Sequence, residues 1–322
     1  MSLVNLLVIS DPNSPFFPSL AGMDPRVHVT IAHDPEAIKA AAPEADIVLY
    51  ATMNASLLSA ALPFAGRARW IHSLWTGVEG ILGTEMLRHA APLTNGRGVF
   101  RWPLADWVTA MMLHFALDLG RVIRQQQQGV WQPFISTSLR GRTLGIVGYG
   151  EIGSAAAARA KVFGMKIAAI RRHRERSDGD PLVDEFFESA SLKKLLAFSD
   201  YVLVALPLTS ETRGLMGEAE IGSMKSSSVL INVGRGPVID ESALVRALQS
   251  GALRGAALDV FTVEPVPAGH PFWTMPNVLL SPHTADRVEG FLNPAVESFM
   301  ENLKRFLSGL PLSNVVDKTA GY

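Results

Sequence analysis

Residues Thr143 to Gly153 read TLGIVGYGEIG, and this stretch decides the fold. An apolar, β-branched run ends at Gly148 and continues through Gly150 and Gly153 into a segment rich in alanine. Glycines at these positions allow a tight turn, the close approach of a pyrophosphate and the close packing of a helix on a strand. The N-terminus of that helix offers unpaired N–H groups and a partial positive charge to an anion. The pattern indicates a dinucleotide site, although such a hexapeptide alone can also be an ordinary strand-to-helix turn.

The sequence on both sides of the motif favours the dinucleotide interpretation. A helix is predicted from Ser154 to Phe163 and a strand from Met165 to Ile170, which completes a βαβ unit. A helix from Glu241 to Gln249 follows Asp240, a suitable N-cap. Further strands are predicted at Tyr201 to Ala205, Val229 to Val233, Ala256 to Leu258 and Val278 to Leu280.

The first hundred residues show the same alternation of strand and helix. Because strands separated by helices pair in parallel with right-handed crossovers, we expect a second small doubly wound sheet there. Its strands are predicted at Leu3 to Ile9, Val27 to Ile31, Ile47 to Tyr50, Trp70 to Ser73 and Pro92 to Thr94. Its helices are predicted near Pro35 to Ala42, Asn54 to Ala61 and Gly83 to Ala90.

Two long predicted helices and a run of turn formers suggest the domain boundaries. The turn formers Asn95 to Gly98 precede a predicted helix from Pro103 to Gln128, whose apolar side chains suit packing between domains or against a second subunit. A last helix is predicted from Val288 to Leu307. We expect residues 1–98 and 285–322 to form one domain and residues 99–284 the other, with the active site in the cleft between them.

Composition excludes several classes of protein. The 322 residues have room for two domains, and a net charge of −1 argues against nucleic-acid binding. The absence of cysteine excludes disulfides and thiolate catalysis and fits the cytoplasm. The N-terminal apolar run has no basic segment before it, so we interpret it as a strand, and no apolar segment is long enough to span a membrane. The spacing of histidines and acids does not suggest a metal site.

Three residues at predicted strand ends could carry chemistry: Arg235, Glu264 and His283. An arginine fork suits a carboxylate, although Arg235 could instead be a solvated loop residue. A histidine beside a carboxylate is held in one orientation with a raised pKa, which makes a general acid near neutral pH. A lone histidine is more often an ordinary hydrogen-bonded residue, and that interpretation is given to the other seven: His28, His33, His72, His89, His114, His173 and His270.

The residues after Ile170 indicate which nucleotide binds. An acid that binds both ribose hydroxyls of NAD is expected there, but the sequence has Arg171, Arg172, His173 and Arg174. Arginines can bind a 2′-phosphate through charge-assisted hydrogen bonds, whereas an acid would repel it. The sequence therefore predicts NADPH, with NADH bound at lower affinity, although a charge run can also be a solvated turn.

Five segments together resemble the D-isomer-specific 2-hydroxyacid dehydrogenases over nearly the whole chain. They are TLGIVGYGEIG, LPLTSETRG at 206–214, INVGRGPVID at 231–240, ALDVFTVEP at 257–265 and SPHTA at 281–285. The resemblance implies a Rossmann cofactor domain inserted into a flavodoxin-like substrate domain. It also implies a catalytic trio in which Arg235 binds the substrate carboxylate, His283 supplies the proton and Glu264 pairs with His283.

The resemblance also implies the binding residues. Asp259 would hydrogen-bond the nicotinamide carboxamide, and the backbone of the loop Leu74 to Glu79 would hold the substrate carboxylate. The remaining cofactor contacts implied are Gly148, Gly150, Glu151, Ile152, Gly153, Leu206, Pro207, Thr212, Val233, Gly234 and His283, and the substrate contacts are Trp75, Thr76, Gly77 and Val78.

The expected activity is NADPH-dependent reduction of a small 2-keto acid to the D-2-hydroxy acid, because the overall form is similar to glyoxylate and hydroxypyruvate reductases. A glutamate at position 264 agrees with keto-acid reduction, since similar formate dehydrogenases carry glutamine at this position. Two alternatives stay open: a reductase of larger acids such as phenylpyruvate, and a nicotinamide-sensing protein like the corepressors that resemble this family. Phe100, Arg101 and Trp102 could line the pocket or pack a domain interface. A homodimer is expected.

Overall fold

The structure is a computed structural model that describes residues 3–14, 16–20, 22–177 and 179–322, without the side chains of Arg174 and Arg176. The chain divides into two compact units. The first consists of Met1–Phe100 and Glu289–Tyr322, and the second is the continuous stretch Arg101–Val288. In the part of the chain that is described, no helix is long and apolar enough to cross a membrane.

The first unit contains a five-stranded parallel sheet, as predicted. Its strands are β1 (Val4–Ile9), β2 (Val27–Ala32), β3 (Ile47–Tyr50), β4 (Trp70–Ser73) and β5 (Leu93–Asn95), and its helices are α1 (Pro35–Ala41), α2 (Ala55–Ala61) and α3 (Thr84–Arg88). The strands lie in the order β2-β1-β3-β4-β5, which is the flavodoxin-like order.

Local side chains explain where the first helices begin. The carboxylate of Asp34 accepts the N–H groups of Glu36 at 3.0 Å and Ala37 at 2.9 Å, and α1 starts with Pro35. The amide oxygen of Asn54 accepts the N–H of Ser56 at 3.2 Å at the start of α2. Each cap satisfies an N–H group that the first turn of a helix leaves unpaired.

The second unit contains a seven-stranded parallel sheet flanked by helices. Its helices are α4 (Arg101–Leu117), α5 (Leu119–Gln128), α6 (Glu151–Val162), α7 (Leu192–Phe198), α8 (Glu218–Ile221) and α9 (Glu241–Gln249), and its strands are β6 (Thr143–Val147), β7 (Lys166–Ile170), β8 (Glu185–Phe187), β9 (Tyr201–Val204), β10 (Val229–Asn232), β11 (Gly255–Leu258) and β12 (Val278–Leu280). The strand order is β12-β11-β10-β9-β6-β7-β8, so the direction of winding reverses between β9 and β6. This is the doubly wound dinucleotide fold with one additional strand.

The predicted helix from Pro103 to Gln128 is wrong as a single helix. The chain breaks at Asp118, which has a φ of 49° and a side chain that accepts the N–H of Arg121 at 3.3 Å. Asp118 therefore ends α4 and caps α5. A last helix, α10 (Asn293–Leu307), returns to the first unit and begins five residues later than predicted.

Candidate active site

The predicted functional segments of the second unit all follow the carboxyl ends of its strands. The Gly148 turn follows β6, Arg171 follows β7, and the loop 206–214 follows β9. Arg235 comes after β10, Asp259 after β11 and His283 after β12. In a parallel sheet these ends lie along one edge, and ligands bind there beside the point where winding reverses.

The three motif glycines are needed for three different reasons. Gly148 has a φ of 103°, and a Cβ there would lie 2.7 Å from the carbonyl oxygen of Ala205. A Cβ at Gly153 would lie 2.7 Å from the carbonyl oxygen of Gly148, so this glycine lets α6 pack on the turn. At Gly150, the N-cap of α6, a Cβ would meet no atom within 4 Å. This open space at a helix N-terminus fits a nucleotide pyrophosphate.

Glu151 and the aromatic Trp102 belong to the contact between α4 and α6. The Oε2 of Glu151 lies 2.8 Å from Nη1 of Arg101. The ring of Trp102 lies beneath two guanidinium groups, 5.5 Å from that of Arg101 and 4.8 Å from that of Arg159. Arg101 and Trp102 thus have packing partners within the second unit. Phe100 is buried in the first unit with its ring 6.5 Å from that of Phe291.

Two arginines that follow β7 have defined partners. The guanidinium of Arg171 donates to the hydroxyl of Ser177, and that of Arg172 forms an ion pair with Glu211 of the loop after β9. The side chain of Arg174, the third predicted arginine, lies outside the described part of the structure.

Tyr149 fixes the segment that carries these arginines. Its hydroxyl donates to Oδ2 of Asp180 at 2.8 Å, and its ring meets that of Phe186 edge-on at 5.6 Å. Burial raises the pKa of Tyr149, and the hydrogen bond to Asp180 raises it further, so the phenol stays a neutral donor. This pair could not be predicted from the sequence, because helix α6 and strand β7 separate the two residues along the chain.

The loop after β9 is held together by hydrogen bonds between its own residues. The hydroxyl of Thr212 donates to the carbonyl of Pro207 at 2.6 Å and accepts the N–H of Thr209 at 2.8 Å. A Cβ at Gly234 would lie 2.7 Å from the carbonyl oxygen of Leu206, so the glycine after Val233 lets this loop approach the end of β10.

Gly236 brings Arg235 close to the turn that carries Glu264. A Cβ at Gly236 would lie only 1.9 Å from the carbonyl carbon of Phe261, so no other residue fits without moving the backbone. The side chain of Arg235 is half-buried, and its Nη1 donates to the carbonyl of Gly234 at 2.7 Å. The glycines around Arg235 therefore permit close backbone packing.

Glu264 and His283 form the predicted pair. Nδ1 of His283 lies 2.8 Å from Oε2 of Glu264, whose Oε1 accepts the N–H of Phe261 at 2.9 Å. The hydrogen bond that His283 donates to Glu264 raises the pKa of His283 despite its partial burial, with the charges of Glu264 and Asp259 adding to the effect and that of Arg235 opposing it. Burial would raise the pKa of Glu264, but the hydrogen bonds from His283 and Phe261 and the charges of His283 and Arg235 lower it. A cationic imidazole is thus stabilised at this position.

Asp259 holds the turn that carries His283. Its buried Oδ1 accepts the hydroxyl of Ser281 at 2.6 Å and the N–H groups of Thr284 at 2.9 Å and Ala285 at 3.1 Å. His283 itself has a φ of 52°, a rare conformation for a residue other than glycine. The carboxylate predicted to contact the nicotinamide therefore also fixes the backbone of the proposed proton donor, and sequence reasoning did not identify Ser281.

The predicted substrate loop belongs to the first unit, where it follows β4. Nε1 of Trp75 donates to the carbonyl of Thr52 at 2.8 Å, and the hydroxyl of Thr76 donates to the carbonyl of Gly96 at 2.9 Å. Val78 is buried and closes the turn by accepting the N–H of Ile81. Gly77 lies between these anchored residues, and binding of substrate by this loop stays a prediction.

Other histidines have structural partners. His72 is fully buried, with Nδ1 2.7 Å from the hydroxyl of Thr94, and burial lowers its pKa to about 3. Nε2 of His270 lies 3.2 Å from Glu241, a second pair of histidine and carboxylate near the first. Among the described residues, no group of three or more histidine, aspartate or glutamate side chains is arranged to hold a metal ion.

Fold and site together define a nicotinamide-dependent oxidoreductase. Residues 109–285 match the family model described as D-isomer specific 2-hydroxyacid dehydrogenase, NAD binding domain. The chain is 35% identical over 292 residues to the glyoxylate reductase of Aeropyrum pernix, which covers 88% of this chain and 86% of that protein. The chain therefore belongs to the D-isomer specific 2-hydroxyacid dehydrogenase family.

Solved structures of similar proteins superpose on this chain over nearly its whole length. A D-isomer specific 2-hydroxyacid dehydrogenase from Xanthobacter autotrophicus Py2, in complex with NADPH and MES, superposes with a TM-score of 0.85 at 29% identity and covers 100% of both chains. An NADPH-dependent glyoxylate/hydroxypyruvate reductase from Sinorhizobium meliloti, in complex with NADP and sulfate, gives a TM-score of 0.84 at 27% identity, covering 99% of this chain and 100% of that one.

Proposed function

We propose that this enzyme is an NADPH-preferring reductase of a small 2-keto acid of the glyoxylate or hydroxypyruvate type. The observation that carries the proposal is the 2.8 Å contact between His283 and Glu264 near the carboxyl ends of the strands. The positive charge of Arg235 is close enough to act on the pKa of His283. An anion clamp and a proton donor are what reduction of a keto acid requires. The names of the relatives, glyoxylate reductase and glyoxylate/hydroxypyruvate reductase, support the substrate class.

In the proposed mechanism, Arg235 binds the substrate carboxylate through its guanidinium fork and polarises the carbonyl beside it. The nicotinamide, when bound, supplies the two electrons of the reduction as hydride. Protonated His283 donates its Nε2 proton to the carbonyl oxygen, because its Nδ1 is held by Glu264. Glu264 stabilises the imidazolium before transfer and fixes its orientation, and the product is the D-2-hydroxy acid.

The preference for NADPH rests on Arg171 and Arg172 at the position where NAD enzymes carry an acid. Both residues directly follow β7 in the chain, and their guanidinium groups can bind a 2′-phosphate through charge-assisted hydrogen bonds. The complexes of the Xanthobacter and Sinorhizobium structures, with NADPH and NADP, support this assignment.

Three further parts of the proposal concern the organisation of the chain. Residues 101–288 form the cofactor domain, and residues 1–100 with 289–322 form the substrate domain, with bounds up to four residues from those expected from the sequence. The backbone of the loop Trp75 to Val78 contacts the substrate carboxylate. The enzyme works as a homodimer.

The experiment that tests the function is a set of initial rates with purified enzyme. Oxidation of NADPH and NADH is measured with glyoxylate, hydroxypyruvate, pyruvate and phenylpyruvate. Fast turnover of the two small acids with NADPH is expected. A preference for phenylpyruvate would replace the proposed substrate class by larger keto acids. Tight cofactor binding without turnover of any acid would favour a nicotinamide-sensing role.

A further inference from the structure

The ion pair between Arg172 and Glu211 joins two loops that the sequence separates by 39 residues. Arg172 follows β7, whereas Glu211 lies in the loop after β9. Strand β6 lies between β7 and β9 in the sheet. The pair therefore spans the carboxyl end of β6, where the Gly148 to Gly153 turn offers its open space to a pyrophosphate.

The guanidinium of Arg172 is also one of the two groups proposed to bind the 2′-phosphate, so the inference rests on the proposed function. A guanidinium fork pairs with a carboxylate or a phosphate through the same donors. Arg171 differs, because it donates to the neutral hydroxyl of Ser177, which brings no negative charge to the site. Glu211 thus places on Arg172 an anion of the kind that the cofactor would bring.

We propose that Glu211 is a specificity-determining residue that competes with the 2′-phosphate for Arg172. Binding of a 2′-phosphorylated nucleotide must replace the carboxylate and bring a phosphate close to it. A nucleotide without that phosphate has no anion to exchange there, so Glu211 lowers affinity for NADPH selectively. A positioning role is disfavoured by exposure, since the side chain of Glu211 is 71% exposed and is not held in one rotamer by packing.

The size of the effect follows from the exposure of the pair. Exposed ion pairs are weak, so their release corresponds to a change of about two- to fivefold in affinity. Both charges are screened by salt, and the difference should therefore shrink as ionic strength rises.

The test measures by titration calorimetry the affinity of the full chain for adenosine 2′,5′-bisphosphate and for adenosine 5′-monophosphate. Glu211→Gln should bind the bisphosphate about two- to fivefold more tightly, with binding of the monophosphate unchanged. The matched control is Glu218→Gln, which removes a similarly exposed carboxylate paired with Arg246 at 2.9 Å. In an Arg172→Ala background, most of the gain from Glu211→Gln should disappear.

The outcomes separate this inference from the proposed cofactor preference. If Arg172→Ala weakens only the bisphosphate while Glu211→Gln leaves its binding unchanged or weaker, the competing role of Glu211 is rejected and the NADPH preference stands. If Arg172→Ala, alone and together with Arg171→Ala, weakens both nucleotides equally, the NADPH preference is rejected and the role of Glu211 with it.

Discussion

At the scale of single residues, the contact between Glu264 and His283 determines how the reaction should depend on pH. Reduction needs the protonated imidazole, so its rate should fall as the pH rises through the pKa of His283. That pKa lies above the ordinary 6.5, chiefly because His283 donates a hydrogen bond to Glu264. The pair also stabilises the fold above the ordinary pKa of Glu264 at 4.5 and loses that contribution as the pH rises through the pKa of His283.

Glu264→Gln should move the fall in kcat/KM for reduction to lower pH, because the neutral amide no longer favours the imidazolium. His283→Ala should lower kcat by about 10²- to 10⁴-fold. The measurement is a pH profile of keto-acid reduction, with Glu241→Gln as control, since Glu241 pairs with His270 in the same region. An unshifted profile in Glu264→Gln, or most of kcat retained in His283→Ala, would contradict the proton-donor role.

The positions of the candidate residues of the second unit could be predicted from the sequence, but not the contacts that hold them. Arg235, Glu264 and His283 follow strands, and strand ends can be recognised from one sequence. Ser281, Asp180 and Glu211 could not be identified, because each acts through a contact between separate loops. Such contacts depend on the strand order, which alternation of strands and helices alone does not determine.

At the scale of elements, substitutions in the turn from β6 into α6 can separate an effect on nucleotide binding from an effect on the stability of the fold. Gly150→Ala would place a methyl group in open space, so the melting temperature should stay near that of the unchanged enzyme. The same methyl group would collide with a bound pyrophosphate, and binding of NADPH and NADH should both weaken by about tenfold or more. Gly153→Ala is the contrasting variant, since its Cβ would lie 2.7 Å from the carbonyl oxygen of Gly148 and should destabilise the fold. Unchanged nucleotide titrations of Gly150→Ala would contradict the proposed pyrophosphate site.

Strands were easier to predict than the ends of helices. Buried parallel strands such as β3, β4 and β9 are short continuous apolar runs, and their bounds were predicted to within one residue. The break at Asp118 was missed because apolar spacing continues across it, while a single left-handed residue changes the direction of the chain. Helix α6 begins at Glu151, three residues before the prediction, because the turn glycine Gly150 is itself the N-cap. The short strand β8 was missed because its side chains are only partly buried.

At the scale of the whole molecule, the second unit exposes apolar side chains on an arm formed by α5 and residues 129–140. No residue of α5 is buried, and Trp131 and Ile135 beyond it are 96% and 99% exposed. The arm is nevertheless attached, because the N–H of Thr137 donates to the carbonyl of Ala116 at 2.9 Å. Exposed apolar surface of this kind marks an interaction site, and a second copy of the chain is the proposed occupant.

Trp131→Asp combined with Ile135→Asp should convert the proposed dimer into a monomer, because each change would place a charge in an apolar interface. Analytical ultracentrifugation at micromolar concentration measures the oligomeric state. Val162→Asp is the matched control, since Val162 is 82% exposed on α6, outside the arm, and should leave the dimer intact. The double variant should retain the folded far-ultraviolet circular dichroism spectrum, because both side chains lie outside the core. If the enzyme without substitutions is a monomer, or if the dimer survives both substitutions, the arm does not join two subunits.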